Sequence, residues 1–168
     1  MAPASEDGSV TIRSWRKSDG KTCATLYREG LIGGKLAEND TGLDIDDIEQ
    51  GYMTPGQHFW VAELDGQVVG MIGVQSYEPG VAEIRRLRVS KDYQRRGIGS
   101  LLIESALRFC EAHDYIKVAL DTFVDRDPAI KLFEKFHFKH SRSRTVQGKE
   151  MLYFYLDLYT GGDKRASN

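Results

Sequence analysis

The segment Gln94–Gly99 carries the clearest chemical signal in the chain. It reads Gln-Arg-Arg-Gly-Ile-Gly and stands between a predicted strand, Glu83–Val89, and a predicted helix that begins near Ser100. Glycines at a helix N-terminus leave backbone N–H groups uncovered, and these donors, with the positive end of the helix dipole, attract anions. The segment therefore predicts a phosphate-binding turn.

The same segment matches neither of the two common nucleotide-binding motifs. A dinucleotide-binding turn reads G-x-G-x-x-G and a Walker A loop ends in Gly-Lys-Ser/Thr, whereas the order here is Gln-x-x-Gly-x-Gly. The alternative is an ordinary glycine turn with two exposed arginines. The apolar residues that follow recur at helical spacing and favour the strand–turn–helix anion site. They are Leu102, Ile103, Ala106, Leu107 and Cys110.

The stretch from Ala82 to Phe138 resembles the GNAT acyltransferases, which use acetyl-CoA. It reads AEIRRLRVSKDYQRRGIGSLLIESAL, then VALDT, then DPAIKLFEKFHF. The resemblance implies an N-acetyltransferase that moves an acetyl group from acetyl-CoA to a primary amine, on a small molecule or a protein, by direct attack in a ternary complex. One alternative is a module of the same fold that binds acyl-CoA without turnover, and another is an interaction domain whose glycine turn has no ligand.

The resemblance also implies an α/β (α+β) fold. We expect a central mixed, mostly antiparallel twisted sheet of about seven strands with four helices, splayed between the fourth and fifth strands. Residue parity supports an irregular fourth strand, because Ile84 is apolar at an even position while Leu87 and Val89 are apolar at odd ones. A one-residue bulge near Arg85-Arg86 restores the register, and the alternative is a strand buried on both faces.

Hydrophobic periodicity and turn residues predict the other elements. In the first half they are a strand over Val10–Trp15, a helix over Ser18–Leu31 capped by Ser18 or Asp19, a short helix over Asp44–Met53, and strands Phe59–Leu64 and Gln67–Tyr77 joined by a type I′ turn at Asp65-Gly66. In the second half they are a strand over Ile116–Leu120 ending in Asp121-Thr122, a helix over Ala129–Lys135 with Pro128 in its first turn, and paired strands Phe138–Arg144 and Met151–Leu158. On the last strand Leu152, Phe154, Leu156 and Leu158 are predicted to face the core.

Length and composition indicate one domain. The chain has 168 residues, 40% of them hydrophobic, and we assign residues 9–159 to a single acetyltransferase domain, with flexible segments at 1–8 and 160–168. A net charge of −2 gives no basic excess for nucleic acid. Without a membrane-length apolar run or a leader, the sequence predicts a cytoplasmic protein that does not bind a membrane.

The cysteines and histidines do not form a recognisable metal or disulfide pattern. Cys23 and Cys110 lie far apart and are predicted to be free thiols, and the spacing of the four histidines predicts no metal site. Neither cysteine has a base visible in the sequence, so an acyl-enzyme is not expected.

The resemblance distributes the cofactor along two segments. The pantetheine arm is expected along the fourth strand, where N–H groups left free by the splay polarise the thioester carbonyl. The pyrophosphate is expected on the backbone amides of the glycine turn, with side-chain contacts from Gln94, Arg95 or Arg96. The complete predicted cofactor set is Leu87, Arg88, Val89, Gln94, Arg95, Arg96, Gly97, Ile98, Gly99, Ser100, Arg126 and Phe133.

Glu83 is the candidate general base. It matches the carboxylate that takes this role, directly or through water, in some members of the family. An alkyl amine with a pKa near ~10 is almost wholly protonated at neutral pH, so its attack needs a base or a lowered amine pKa. The alternative is a glutamate paired with Arg85, two positions along the strand.

The general acid of the family is missing. Many members carry tyrosine in the motif L-Y-E-K-x-G-F, whereas this chain has Phe133 there, and His137 replaces the glycine. A phenylalanine cannot protonate a leaving thiolate. Tyr153, Tyr155 or water remain as candidates, with Tyr153 as the predicted acid.

The acceptor is predicted only from charge. The segment from Glu38 to Glu49 holds six acidic residues and no Lys or Arg, and an acidic rim would attract a cationic amine. The alternative is a solvated helix start whose acidic residues interact with the helix dipole. Homodimers are common in the family, but the sequence does not separate a dimer from a monomer.

Overall fold

The structure, a computed structural model, describes residues 9–158. The expectations for residues 1–8 and 160–168 lie outside this range. The strands are β1 (Val10–Ser14), β2 (His58–Leu64), β3 (Gln67–Glu78), β4 (Val81–Val89), β5 (Lys117–Phe123), β6 (Lys139–Val146) and β7 (Lys149–Asp157). The helices are α1 (Gly20–Glu29), α2 (Ile48–Tyr52), α3 (Ile98–Ala112) and α4 (Asp127–Lys135), with 3₁₀ turns at Lys17–Asp19, Ile45–Asp47 and Lys91–Tyr93.

The seven strands form one mixed sheet in the order β1-β2-β3-β4-β5-β7-β6. Each neighbouring pair is antiparallel except β4 and β5, which run parallel. The predicted fold class is confirmed. The turn between β2 and β3 has positive φ at Asp65 (52°) and Gly66 (78°), as a type I′ turn requires.

Helices cover both faces of the sheet. One hydrophobic cluster joins β-strand residues to α3 and α4, and a second joins them to α1 and α2. Adjacent residues of β3 divide between the two, with Met71 in the α1–α2 cluster and Ile72 in the α3–α4 cluster. Phe154 of β7 is buried in the α3–α4 cluster, which confirms the predicted core face of the last strand.

The first helix differs from its prediction at the N-terminus. The α-helix begins at Gly20, after a 3₁₀ turn, and the Asp19 side chain makes no capping hydrogen bond to it. Instead the Asp19 carboxylate accepts two hydrogen bonds of 2.9 Å from Arg13 and one of 2.8 Å from the Arg16 N–H. A buried carboxylate is more stable against a guanidinium than at a helix end, so tertiary contacts override the local cap.

Strand β4 contains the bulge that parity predicted. Gly73 pairs with Arg85 and Met71 with Arg88, so two residues of β4 stand opposite one of β3. Arg86 lies in this bulge with a positive φ of 60°. The bulge bends β4 and interrupts the regular alternation of its side chains between the two faces of the sheet.

The splay between β4 and β5 begins directly before the bulge. The parallel ladder spans only three registered pairs, from Val81↔Lys117 to Glu83↔Ala119. Beyond Glu83 the two strands separate, while β5 continues to pair with β7 as far as Phe123. The opening between β4 and β5 therefore starts at the candidate base.

Candidate functional site

A cavity of about 270 Å³ lies in the opening between β4 and β5. Its walls come from the bulged half of β4, the end of β5, the start of α4 and the loop after α1. The lining residues are Leu31, Ile32, Ala37, Asn39, Asp40, Glu83, Ile84, Arg85, Arg86, Leu87, Arg88, Leu120, Asp121, Thr122, Phe123, Arg126, Ala129, Phe133 and Met151. We call this the splay cavity.

A second cavity, of about 360 Å³, lies over the N-terminus of α3. It is lined by the glycine turn, by Val89 and by residues of α4. Ile32 lines both cavities, so the two are neighbours on one side of the molecule. We call the second one the turn cavity.

Gly97 forms the N-cap of α3 in the left-handed conformation, with φ of 83°. No side chain caps the helix, and an added Cβ at Gly97 would point into open space. The first-turn amides are thus left for an anion, as the sequence predicts. The N-terminus of α3 therefore presents backbone N–H groups to the turn cavity without a side chain over them.

Gln94 has a different role from the one predicted. Its side-chain amide nitrogen donates to the backbone oxygens of Leu31 at 3.0 Å and Val89 at 2.9 Å. Only its carbonyl oxygen is left over, and an acceptor does not bind a phosphate. Gln94 therefore joins the loop after α1 to the end of β4 and shapes the turn.

Lys135 brings a positive charge to the turn that the sequence analysis missed. Its Nζ donates to the Ser100 Oγ at 3.2 Å, and both residues line the turn cavity. The position of Gly99 explains the proximity, because a Cβ there would meet the Leu132 side chain of α4 at 2.8 Å. The sequence shows Lys135 at the end of the predicted helix Ala129–Lys135. Nothing in the sequence indicated that this end of the helix would reach the glycine turn.

The free N–H groups predicted on β4 are not all free. The Val89 N–H donates to the Gly30 oxygen at 2.9 Å, since the end of α1 replaces the missing neighbour strand. The prediction of a free amide is wrong for Val89. The Arg88 side chain is only 4% exposed and donates to the Tyr27 and Leu87 oxygens, so its head group stabilises the α1–β4 contact.

Glu83 lies at the point where β4 and β5 separate and lines the splay cavity. Burial raises the pKa of its carboxyl group above the ordinary value. Arg85 does not pair with it as the alternative proposed; its Nη1 donates to the Gln75 Oε1 at 3.1 Å. The glutamate is left facing the cavity as a base whose affinity for a proton is increased.

Asp121 is a second carboxylate in the splay cavity, and the sequence analysis did not select it. It follows Ala119, the partner of Glu83, by two residues, so the two carboxylates share one face of the sheet. Desolvation raises its pKa as well. Parity along β5 could have identified it once the β4–β5 register was known.

Two of the six acidic residues predicted to form a rim over residues 38–49 pair with one arginine. Arg86 of the bulge donates to Asp40 at 2.6 Å and to Asp44 at 2.6 Å, with its side chain 9% exposed. The Tyr52 hydroxyl also donates to Asp44 at 2.6 Å. Hydrogen bonds from Arg86 and Tyr52 outweigh the effect of burial and lower the pKa of Asp44 to about 2. These two aspartates are paired within the protein, so a third of the acidic residues on which the cationic acceptor was predicted are already engaged.

The residues from 22 to 138 match the family model described as the acetyltransferase (GNAT) family. The chain belongs to the GNAT family of acetyltransferases. Within this GNAT domain the match includes the bulged strand, the glycine turn and α4, which together form both cavities.

Curated relatives match this GNAT domain over part of their length. N-acetylaspartate synthetase of Xenopus tropicalis is 40% identical over 99 residues, which cover 58% of this chain and 36% of that protein. Human N-acetyltransferase 8 is 32% identical over 102 residues, covering 57% of this chain and 45% of that protein. The chain therefore matches less than half of the length of either relative.

Solved structures share the fold across most of the chain. A GCN5-related N-acetyltransferase from Kribbella flavida has a TM-score of 0.76 at 18% identity, covering 89% of this chain and 98% of that one. A Salmonella typhimurium protein solved with its cofactor acetyl-CoA has a TM-score of 0.77 at 17% identity, with coverages of 89% and 94%. At these identities the likeness establishes the GNAT fold.

The GNAT motif tyrosine is replaced by a buried Phe133. Its ring is 5% exposed, lines the splay cavity and makes an edge-to-face contact with Phe138, with the ring centroids 5.9 Å apart. Tyr153, the predicted acid, pairs with Asp121 across β5 and β7, under the Arg142 guanidinium at 4.0 Å from the ring centroid. Asp121 lines the splay cavity, whereas Tyr153 is not among its lining residues.

Both cysteines are buried free thiols. Desolvation raises the pKa of Cys23 and of Cys110 to about 12. In the range 9–158 we find neither a cluster of three His, Cys, Asp or Glu side chains that could ligate a metal nor a helix with the length and hydropathy to span a membrane.

Proposed function

We propose that the protein is an acetyl-CoA-dependent N-acetyltransferase that acts on a primary amine by direct attack in a ternary complex. The observation that carries the proposal is the adjacency of the two cavities. The turn cavity offers uncapped amides and Lys135 for the pyrophosphate, and the neighbouring splay cavity offers Glu83 for the amine. A pantetheine arm would run along Leu87 and Arg88 between them, with Arg126 and Phe133 on the opposite wall.

Glu83 would take the proton that the ammonium must lose before it attacks. The amine nitrogen then forms a bond to the thioester carbonyl carbon and the carbon–sulfur bond breaks. The nitrogen loses its second proton to the leaving thiolate, through a candidate acid, or to water, and the products are an amide and CoA as thiol or thiolate. Burial supports Glu83 in this role, because a raised carboxyl pKa brings the base closer to the amine and to neutral pH.

The thiolate needs a proton or must leave as an anion. A thiol pKa near ~8.5 permits slow departure without an acid, which is compatible with Phe133 at the motif position. Asp121 and Tyr153, neighbours across β5 and β7, are the candidate acids. Asp121 lines the splay cavity and Tyr153 is not among its lining residues, so position favours Asp121 over the tyrosine as the proton carrier.

A covalent acyl-enzyme is not part of the proposal. A thiol with a pKa of about 12 is almost wholly protonated at neutral pH, so neither cysteine is a competent nucleophile. We expect intersecting lines in initial-rate plots with both substrates varied. Acetylated cysteine after mixing with acetyl-CoA alone would contradict direct transfer.

The relatives suggest acceptors to test. Some of them are named N-acetylaspartate synthetase, which makes aspartate one candidate for this chain. We also infer a cytoplasmic location, which the two free cysteines support, and a homodimer as is common in the family. Light scattering coupled to gel filtration tests the dimer.

The first experiment is a thermal-shift titration with acetyl-CoA, desulfo-CoA and ATP. A ligand at ~100 times its Kd adds roughly 2.7 kcal/mol, which raises the Tm of a domain of this size by about 5–10 °C. We expect both CoA compounds to stabilise the protein and ATP to have a smaller effect. Gly97→Glu should remove the shift, because its carboxylate repels phosphate at a left-handed position.

Thiol release in the presence of an amine panel then separates the enzyme from the second candidate, an acyl-CoA-binding module without turnover. Phe133 is the observation that favours the module. Release of CoA that depends on an amine supports the enzyme. Binding without release under all acceptors would favour the module, and no thermal shift would overturn both.

A further inference from the structure

We propose that the acceptor is a small amine that also carries a carboxylate, and that Arg126 and Arg85 bind this carboxylate in the splay cavity. The inference rests on the proposed function, since it names the acceptor class of that site. It replaces the cationic acceptor that the acidic segment suggested. The argument depends on which arginines of the cavity already have a negatively charged partner.

Arg126 lies at the N-terminal end of α4, on the wall formed by the end of β5. Its Nε is buried without a hydrogen-bond partner within the described residues, and its Nη2 makes only a 3.3 Å hydrogen bond to the Lys35 oxygen. A desolvated guanidinium without a carboxylate in direct contact is unfavourable, and burial outweighs the attraction of nearby aspartates and lowers the pKa of Arg126. A bound carboxylate would supply the missing direct partner.

The other two arginines of the cavity, Arg86 and Arg88, have hydrogen-bond partners for their guanidinium groups within the protein. Arg86 is fully engaged by Asp40 and Asp44, with four hydrogen bonds between 2.6 and 3.1 Å. Arg88 donates to two backbone oxygens and stabilises the α1–β4 contact. Among the described residues, Arg85 and Arg126 line the cavity without a carboxylate within salt-bridge distance.

The positions of these two arginines suit a short acceptor. Arg85 follows Glu83 by two residues on the same face of β4, about 7 Å along the strand. Arg126 lies on the facing wall of the same cavity. A carboxylate between the two guanidinium groups leaves an amine, a few bonds away, within reach of Glu83.

Charge at this site also disfavours a cationic acceptor. Burial raises the pKa of Glu83 and Asp121, so the two free carboxylates of the cavity hold their negative charge less firmly. Arg85 and Arg126 contribute positive charge to the cavity without a carboxylate within salt-bridge distance among the described residues. An acceptor with a second ammonium would meet this repulsion, whereas a carboxylate would be attracted and could bind in the bidentate geometry that arginine favours.

The test measures binding and turnover separately, on the full chain loaded with CoA. The probes are L-aspartate, its diamide, which has the same amine and no carboxylate, and putrescine, a cationic diamine. Calorimetry gives each Kd, and thiol release from acetyl-CoA gives each kcat/KM. We expect aspartate to bind at least ~10-fold more tightly than the diamide, and Arg126→Gln and Arg85→Gln to remove most of that difference.

Arg108→Gln is the matched control. Arg108 lies on the exposed face of α3, where it contacts Ser105 of its own helix, and its loss should leave the aspartate-to-diamide ratio unchanged. Equal binding of aspartate and diamide, or preference for putrescine, would overturn the inference while leaving the transferase intact. If Arg126→Gln weakens CoA binding and not aspartate binding, Arg126 is a cofactor residue and the inference is wrong. Tight aspartate binding without thiol release would show that the bound amine is not an acceptor, and would overturn the inference.

Discussion

At the scale of single residues, the chemistry of the site depends on how each charge is paired. Glu83 and Arg85 are two positions apart on one face of β4, yet Arg85 donates to Gln75 and leaves the glutamate to the cavity. Arg86, the next residue, lies in the bulge and binds Asp40 and Asp44. Three charged residues within four positions of the strand thus acquire three separate roles.

We predict that Glu83→Gln lowers kcat/KM by about 10²–10⁴, the usual contribution of a general base, without changing the Kd of acetyl-CoA. The base acts in its deprotonated form, so the activity of the wild type should rise with pH through the raised pKa of Glu83. That limb should be absent in the variant. Initial rates across pH, with calorimetry for acetyl-CoA, measure both quantities.

Glu104→Gln on the exposed face of α3 is the control for this substitution, because it removes the same charge away from the cavity. Its rates should equal those of the wild type. An unchanged pH profile in Glu83→Gln would show that the amine loses its proton to another group, with Asp121 the next to test.

At the scale of elements, the turn cavity depends on the packing of α4 against α3. The close approach at Gly99 brings the end of α4 to the N-terminus of α3, where Lys135 reaches Ser100. The two helices thus place a cation beside uncapped amides. This pairing could not be read from either helix alone.

Lys135→Gln should weaken acetyl-CoA binding by about 5–10-fold, because one charge-assisted contact to phosphate is lost. The loss should shrink as the salt concentration rises. Lys131→Gln, on the same helix and paired with Asp127 in solvent, is the matched control and should bind as the wild type does. Equal affinities of the two variants at low salt would exclude Lys135 from the phosphate site.

The bulge of β4 is held to the loop before α2 by Arg86. We predict that Arg86→Met lowers the free energy of unfolding by about 3–5 kcal/mol, because two half-buried carboxylates lose their partner. Urea denaturation measures it. Lys17→Met breaks the exposed Lys17–Glu49 pair and should change stability by less than about 0.5 kcal/mol.

The same network predicts a pH dependence of stability. The folded pKa of Asp44 is about 2, below its unfolded value, so its contribution is present above the unfolded pKa and is lost as pH falls towards the folded one. The wild type should lose about 2 kcal/mol from this group between pH 5 and pH 2. Arg86→Met should lack that loss; a parallel decline in both proteins would assign it to other carboxylates.

At the scale of the whole molecule, one sheet with a single opening joins all parts of the site. On one side of the opening, β4 supplies the arginines of the splay cavity. On the other side, β5 supplies Asp121 and leads into the start of α4. Since both halves are needed to form the splay cavity, the site and the complete domain are one structural unit.

The assignment of residues 9–159 to the domain stays a prediction, and a truncated chain tests it. We expect residues 9–159 alone to bind acetyl-CoA with a free energy within about 0.5 kcal/mol of the full chain. Thermal-shift titrations of both proteins make the comparison. Loss of binding would show that the terminal segments take part in the site or its folding.

The sequence by itself determined the features that are local. The Gln94–Gly99 turn, the bulge beside Arg86 and the Asp65-Gly66 hairpin follow from residue types at short spacing, where backbone sterics act within a few residues. These features, with the family motif, were sufficient to predict the fold.

Only the tertiary structure decided how the charges are paired. Asp19 pairs with Arg13 and does not cap the helix, and Asp40 and Asp44 of the predicted acidic rim pair with Arg86. The side-chain amide of Gln94 donates to backbone oxygens. The partners of each pair lie far apart in the chain or compete with nearer ones, and the free energy of a charge depends on burial and distance, which spacing does not reveal. Hence the conformation of the Gln94–Gly99 turn was readable from the sequence, whereas the arginines left without carboxylate partners, and with them the acceptor class we propose, required the fold.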